Sequence, residues 1–233
     1  YRNYPDGHEM NAGAFYRLLR AGKTSTTAQI NSHEFMEWME PILQAGEDVL
    51  YLAFSSGLSG TCQGALMAKK ELSAKYPERK IYVVDSLAAS MGEGLLAYYA
   101  SKMQMDGKSI DEVYQWLQEN KLHLCHWFTV DDLNHLKRGG RVSPAAALFG
   151  TMLGIKPVLH VDDAGHLIPV SKIRGRRQSL DTLVSHMEAT VTNPEEQVIF
   201  ISHGDCEKDA QYVADKIRSK WNVKDIVLNE IGP

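Results

Sequence analysis

Apolar residues in the first half of the chain form a pattern that predicts alternating strands and helices. Residues 49–54 and 81–84 are continuous apolar runs of strand length, which is typical of strands buried on both faces of a parallel sheet. After each run, apolar residues recur near the 3.6-residue period of a helix. The two helical patterns are Cys62, Ala65, Leu66 and Leu72, and then Leu95, Leu96, Tyr99 and Met103.

A further helix is predicted to begin after Ser109. Serine is a favoured N-cap residue, and Asp111 and Glu112 would lie in the first turn, where carboxylates suit the helix dipole. Val113 and Leu117 recur on one face of this helix. We expect it to close the first domain.

From residue 122 the pattern changes and predicts a second domain. Asp162-Asp163-Ala164-Gly165 lies between two apolar runs, and Asp and Gly there favour a hairpin turn joining antiparallel strands. The other expected elements are a strand over 122–130, a helical turn over 131–137, helices over 143–153, 178–189 and 207–221, and strands over 198–201 and 226–228. The fold class is therefore α/β, with a Rossmann-like parallel sheet in residues 1–122 and an α/β domain with antiparallel strands in residues 123–233.

Composition and charge narrow the functional classes. The formal net charge is -4 and the isoelectric point is about 6.1, which gives no general attraction to nucleic acid. Three widely spaced cysteines form neither a disulfide framework nor a metal clip, and no apolar run is long enough to span a membrane. We expect a soluble, cytoplasmic protein without metal or cofactor.

The hydroxyl-rich loop Ser55-Ser56-Gly57-Leu58-Ser59-Gly60-Thr61 is the strongest candidate site. It lies between a predicted strand and a predicted helix, where the helix N-terminus and glycine backbone favour anions. The alternative is a turn whose hydroxyls cap the helix. The loop lacks the spacing and lysine of a phosphate-binding Walker loop and is one residue short of the Gly-x-Ser-x-Gly nucleophile elbow.

Other polar segments permit both a structural and a functional interpretation. Residues 24–27, Thr-Ser-Thr-Thr, precede a helical stretch containing Phe35, Trp38 and Met39 and are most simply its N-cap region. His203 follows a predicted strand and could donate to a ligand or act as a general base, or could lie in a capping turn. The basic segments 138–141 and 172–177 are either solvated surface or contacts for phosphate or a partner.

Taken together, the order of these motifs resembles the DegV family of bacterial fatty-acid-binding proteins along essentially the whole chain. The serine loop is the most specific of them. The other segments are Asp6-Gly7, Thr24-Ser25, Val84-Asp85-Ser86 with Ala88, Ser90, Met91 and Gly92, Asp131-Asp132-Leu133, Arg138-Gly139-Gly140-Arg141, residues 155–159, residues 172–176 and His203-Gly204-Asp205.

The resemblance implies that a long-chain fatty acid lies between two α/β domains. Its carboxylate would be held by Thr24 and Ser56, with further head-group contacts from Ser25, Ser55, Gly57 and His203. Apolar residues would contact the tail unless they serve only as core, and three arginines would contact a partner or phosphate. The tail candidates are Phe54, Leu58, Met91, Leu95, Phe149, Leu153 and Ile155, and the arginines are Arg141, Arg174 and Arg176.

The resemblance also implies a carrier that presents the fatty acid to a fatty-acid kinase, not an independent catalyst. The chain starts at Tyr1 and ends at Pro233, so we expect a fragment that lacks the N-terminal strand and C-terminal segment of its relatives. Two other functions stay open. One is an enzyme that holds a phosphorylated or carboxylated metabolite and uses Ser59 or His203, and the other is a regulatory protein whose basic patches bind a partner.

Overall fold

A computed structural model describes residues 9–131, 133–143 and 154–232. No helix in these ranges is long and apolar enough to cross a membrane. The helices are α1 Ala12–Arg20, α2 Ser32–Gln44, α3 Thr61–Lys75, α4 Met91–Met105, α5 Ile110–Asn120, α6 Asn134–Arg138, α7 Arg176–Thr190 and α8 Glu207–Lys220, with 3-10 turns at Lys121–His123 and Pro194–Glu196. The strands are β1 Val49–Ala53, β2 Ile81–Asp85, β3 Trp127–Thr129, β4 Ile155–Val161, β5 Leu167–Arg174, β6 Val198–His203 and β7 Asp225–Glu230.

The chain forms two compact units, each of which draws on separate stretches of sequence. The loop unit consists of Ala28–His126 and His160–Ile168. The β6 unit consists of the described residues of Tyr1–Thr27, Trp127–Leu159 and Pro169–Pro233. The predicted boundary near residue 122 lies close to Trp127, but a single cut does not separate the units.

In the loop unit, helices cover both faces of a parallel two-stranded sheet. β1 pairs with β2 in register from Val49↔Ile81 to Ala53↔Asp85. Because side chains alternate along a strand, one sheet face packs on α2 and α3 and the other on α4 and α5. The first core contains Phe35, Met39, Leu43, Val49, Ala53, Cys62, Ala65, Ala68, Leu72, Ile81 and Val83, and the second contains Val84, Leu96, Val113 and Leu117.

The β6 unit has a parallel pair, β6 with β7, whose apolar side chains pack on α7 and α8. Its core contains Leu180, Val184, Val213, Ala214, Ile217 and Ile226. A three-stranded sheet has the order β3-β4-β5. The short connection between β4 and β5 is the predicted hairpin, whose residues His160–Ile168 belong to the loop unit. In it, Asp162 Oδ1 accepts hydrogen bonds from Ala164 N at 3.0 Å and His166 N at 2.8 Å.

The sequence predicted the fold class correctly, and most of its helices and strands lie close to their predicted places. The strand predicted over 122–130 is shorter in the structure, because the helical backbone of α5 continues through Lys121 into a 3-10 turn. The observed strand covers Trp127–Thr129 and belongs to the sheet β3-β4-β5. Helix α1, capped by Asn11, was not predicted, and most of the predicted helix over 143–153 lies outside the described residues.

The predicted N-cap of α2 is also wrong. Asn31 caps this helix, because its Oδ1 accepts from Glu34 N at 3.1 Å while Glu34 Oε2 accepts from Asn31 N at 2.9 Å. Residues 24–27 lie outside regular structure and are exposed. Phe35 and Met39 are buried as core residues, whereas Trp38 is 72% exposed. The Thr-Ser segment therefore has no capping role that would explain its hydroxyls.

The assignment of Asn31 as the N-cap of α2 can be tested by stability measurements. We expect Asn31→Ala to lower the free energy of unfolding by about 1 kcal/mol, because two N–H groups of the first turn lose their acceptor. Thr27→Ala should change it by less than about 0.5 kcal/mol. Urea denaturation of both variants measures this, and an equal loss in the two would contradict the assignment of the cap.

Candidate functional site

The serine loop leaves β1 at Ala53 and enters α3 at Thr61. Because β1 and β2 are parallel, their carboxyl ends share one edge of the sheet, and Asp85 ends β2 opposite Ala53. Ligands of open α/β sheets bind at this edge. The site therefore comprises the β1–α3 loop and the turn that follows β2.

Ser55 is fully buried and holds the loop in place. Its Oγ donates to the carbonyl of Gly165 at 2.8 Å and accepts from Gly57 N at 3.1 Å. Its backbone N donates to the carbonyl of Ala88 at 3.0 Å. Both hydrogen-bonding functions of the hydroxyl are thus used within the protein, so in this structure Ser55 positions its neighbours.

Asp85 joins the serine loop to the turn after β2. Its Oδ1 accepts hydrogen bonds from Ser56 N and Leu87 N, both at 3.1 Å. Leu87 has φ 52°, a left-handed conformation that is costly for a branched side chain. The carboxylate of Asp85 stabilises this strained turn and fixes the backbone of Ser56. The motif Val84-Asp85-Ser86 contributed to the family resemblance, but no role for Asp85 was predicted.

The two hydroxyls at the end of the loop are also occupied. Ser59 Oγ lies 2.9 Å from Thr61 Oγ1 and accepts from Thr61 N at 3.2 Å, which supplies an acceptor to the first turn of α3. By contrast, Ser56 is exposed, and its Oγ has no hydrogen-bond partner in the described ranges. Of the loop's four hydroxyls, the one on Ser56 is available to a ligand.

The backbone amides of the loop are largely engaged as well. Leu58 N and Ser59 N donate to the carbonyl of Ser55 at 3.0 and 3.1 Å, and Gly57 N donates to Ser55 Oγ. Glycine is needed at position 57 because a Cβ there would lie 2.7 Å from the carbonyl oxygen of Ala164. The amides of residues 55–59 are thus used within the protein, whereas the sequence led us to expect them in a cradle of N–H groups for an anion.

Burial changes the acidity of several groups in the loop unit. It raises the pKa of the Cys62 thiol, so this residue at the start of α3 stays protonated at neutral pH. Burial also raises the pKa of Glu93 to about 7 and that of Tyr51 to about 12, the latter with a contribution from the charge of Glu93. The pKa of His126 falls to about 4 because the imidazole is desolvated.

The tail candidates lie in both units. Phe54, Leu58, Met91 and Leu95 belong to the same unit as Ser56, with Leu58 buried and the other three half-buried. Ile155 is the first residue of β4 in the β6 unit. Two candidates, Phe149 and Leu153, lie outside the described residues.

The remaining head-group candidates belong to the β6 unit. Thr24 and Ser25 are exposed, and their hydroxyls have no hydrogen-bond partner among the described residues. His203 ends β6, and its Nδ1 accepts from Cys206 N at 3.4 Å. A neutral imidazole that accepts at Nδ1 carries its proton on Nε2, so His203 can donate from that atom.

The three predicted contact arginines differ in their surroundings. Arg176 Nε donates to Asp209 Oδ2 at 2.7 Å and is half-buried. Arg141 donates to the carbonyl of Gly139. Arg174 ends β5, is exposed, and forms no ion pair in the part of the chain that the structure describes. In those same ranges, no group of three or more His, Cys, Asp or Glu residues could hold a metal ion.

A family model described as an uncharacterised protein of the DegV family matches residues 2–233. A DegV domain-containing protein of Clostridium perfringens is 52% identical over 224 residues, which are 96% of this chain and 77% of the relative. The chain belongs to the DegV family. The family model and this relative establish the family, while the site is described by the geometry above.

Two solved structures are similar in fold to this DegV-family chain. A DegV family protein from Thermus thermophilus, described by its fatty acid binding, has a TM-score of 0.84 and 26% identity, and the match covers 100% of this chain and 80% of that one. The fatty acid kinase B3 protein of Streptococcus pneumoniae, loaded with linoleic acid, has a TM-score of 0.86 at 20% identity, with 97% and 79% covered.

The contact between Ser55 and the hairpin gives a testable prediction. Gly165 has φ 77°, and a Cβ there would lie 2.0 Å from Ser55 Oγ, whereas Gly107 has φ 81° and open space around it. Gly107→Ala therefore reports the backbone cost alone, about 1 to 2 kcal/mol. We expect Gly165→Ala to lower the free energy of unfolding by about 1 to 3 kcal/mol more, because the new methyl collides with the buried hydroxyl.

Urea denaturation of the two glycine variants measures this difference. Both positions lie in the loop unit, so the comparison is matched for backbone conformation and for the folding unit. Equal destabilisation would mean that the Ser55–Gly165 contact does not restrict the loop.

Proposed function

We propose that this protein binds a long-chain fatty acid, with the carboxylate held by the hydroxyls of Ser56 and Thr24, and presents it to a fatty-acid kinase. The observation that carries the proposal is the exposed hydroxyl of Ser56, whose backbone is fixed by Asp85 at 3.1 Å. A hydroxyl can donate to a carboxylate, and hydrogen bonds to charged groups are the stronger ones. Fatty acid binding in the Thermus thermophilus relative supports the same ligand class.

Thr24 is the second proposed donor. With Asn31 as the N-cap of α2, the hydroxyls of the Thr-Ser segment have no structural use in the described ranges. Ser25, Ser55, Gly57 and His203 stay in the proposal as secondary head-group residues. For Ser55 and Gly57 that contribution is positional, because their polar atoms already bond to each other and to the hairpin.

Most of the affinity would come from the acyl chain. Burial of a methylene is worth about 0.8 kcal/mol, so about fourteen of them give on the order of 11 kcal/mol before the cost of association. Head-group hydroxyls then select and orient the acid. Phe54, Leu58, Met91, Leu95 and Ile155 are the proposed tail contacts among the described residues.

The chemistry of the loop favours a carrier over an enzyme. Ser59 Oγ is held between Thr61 Oγ1 and Thr61 N, and no base contacts it in the described part of the loop unit. Burial keeps the thiol of Cys62 protonated. A nucleophile needs an adjacent base or a lowered pKa, and neither residue has one.

Binding measurements test the head-group assignment. Ser56→Ala and Thr24→Ala should each weaken the affinity for a long-chain fatty acid by about tenfold or more, because each removes a hydrogen bond to a charged group. Ser101→Ala, at an exposed position of α4 in the same unit as Ser56, should leave the affinity unchanged. Displacement of a fluorescent fatty acid gives the dissociation constants.

Two results would contradict this assignment. Wild-type protein that neither carries extracted fatty acid by mass spectrometry nor binds it at micromolar concentration would refute the function. Wild-type protein that binds normally, with Ser56→Ala and Thr24→Ala unchanged, would refute the head-group residues alone.

Arg174 is the sharpest test of the kinase part of the proposal. It is exposed and forms no ion pair in the described ranges, whereas Arg176 is held by Asp209. We expect Arg174→Glu to slow acyl-phosphate formation with a fatty-acid kinase about fivefold or more, because a reversed charge at an interface slows association. The affinity for the fatty acid should not change.

Lys224→Glu is the matched control for Arg174→Glu. Lys224 is exposed and lies in the same β6 unit, so it makes the same change of charge at another point of the surface. Equal slowing by both variants would indicate a general effect of net charge and would contradict a specific contact at Arg174.

A further inference from the structure

Lys121 is a cation at the serine-loop edge of the sheet that no motif indicated. It follows α5 in the turn Lys121–His123 and is half-buried. Its Nζ donates to the backbone carbonyl of Asp85 at 3.0 Å. Among the described residues no carboxylate lies within 4.0 Å of this ammonium, so Lys121 bonds to the peptide of Asp85 without forming a close ion pair.

A second observation places Lys121 near the start of α3. The charge of Lys121 lowers the pKa of the Cys62 thiol and the charge of Asp85 raises it, although burial is the larger cause and the net direction is upward. Cys62 is the second residue of α3, directly after Thr61. The charges of Lys121 and Asp85 therefore both act at the start of α3, the helix that follows the serine loop.

Asp85 creates an electrostatic problem for an anionic ligand. Its carboxylate accepts from Ser56 N at 3.1 Å, so the residue that fixes Ser56 also places a negative charge beside it. A ligand carboxylate at the Ser56 hydroxyl would be repelled by this charge, and partial burial would strengthen the repulsion. The Ser56 hydroxyl can oppose this repulsion only with its dipole, because it carries no net charge.

We propose that Lys121 is the specificity-determining residue that allows the serine loop to accept an anionic head group, because its ammonium offsets the charge of Asp85. This inference rests on the proposed function and extends it to the choice between acid and neutral lipids. Asp85 supplies the geometry of the Ser56 backbone and Lys121 balances its charge. Without Lys121, the same loop would favour an uncharged head group.

The alternative role for Lys121 is purely structural, as a donor to the end of β2. The two roles differ in their dependence on ligand charge. A fatty acid and the fatty alcohol of equal length have the same tail, so a structural defect weakens both, whereas a lost positive charge weakens the acid selectively. The ratio of the two affinities is therefore the diagnostic quantity.

We would measure dissociation constants of hexadecanoic acid and hexadecanol at fixed pH and ionic strength. Lys121→Met should weaken binding of the acid on the order of tenfold and that of the alcohol less than twofold, whereas Lys121→Arg should keep the preference for the acid. Lys102→Met removes one charge from an exposed position of α4 in the same unit and should change neither affinity.

Asp85→Asn should change the affinity for the acid in the direction opposite to Lys121→Met. Asparagine keeps an oxygen that can accept from Ser56 N and Leu87 N but removes the charge, so the acid should bind several-fold more tightly. The double variant Lys121→Met with Asp85→Asn should return close to the wild-type preference between acid and alcohol.

The outcomes separate the inference from the function on which it rests. Wild-type protein that binds neither probe refutes the proposed function and removes the basis of the inference. Wild-type protein that binds the acid, while Lys121→Met weakens acid and alcohol equally or leaves both unchanged, overturns the role of Lys121 alone.

Discussion

The hydrogen bond from the buried Ser55 hydroxyl to the carbonyl of Gly165, at 2.8 Å, is the constraint on which the site depends. It joins two segments that are 110 residues apart in sequence. Breaking it would leave a buried carbonyl without a donor, which costs about 1 to 3 kcal/mol. The contact requires a glycine on each side, because a Cβ at Gly57 or Gly165 would collide with the opposite segment.

This constraint decides which atoms of the loop are left for function. Ser55 holds the hairpin, Ser59 and Thr61 serve the start of α3, and the amides of residues 57–59 bond back to Ser55. Of the loop's hydroxyls, the one on Ser56 is left without a partner among the described residues. Asp85 then fixes the backbone of that residue, so under the proposed function a loop rich in hydroxyls would act through one of them.

The sequence was informative wherever local pattern determines structure. Apolar runs identified β1 and β2, and helical periodicity identified α3 and α4. Ser109 caps α5 as predicted, and Glu112 completes a capping box with it. Sequence patterns failed to identify hydrogen bonds between residues that are distant in the chain. Four hydroxyls in seven residues predicted a polar site, but the preference for Ser56 over Ser55 came from the family resemblance and not from the loop itself, because the partner of Ser55 is in the hairpin.

The same limit explains the error at α2 and the fact that no motif indicated Lys121. Thr24 and Asn31 are both capping residue types, and only the backbone shows that the helix begins at Ser32. Lys121 continues the helical backbone of α5, and its ammonium donates to the carbonyl of Asp85, a contact between elements that no window of sequence contains. The position of the α2 cap and the partner of the Lys121 ammonium therefore become visible only in the three-dimensional structure.

The balance of charge at the serine loop has a physical consequence for a carrier. A buried arginine would hold a carboxylate in a strong bidentate pair, and release of the ligand would have to overcome that pair. Under the proposed function, a hydroxyl beside the opposed charges of Asp85 and Lys121 would bind the head group less tightly and leave most of the affinity to the tail. Under the proposed function, the acid is then retained by its chain while the carboxylate stays weakly held and available to a second protein.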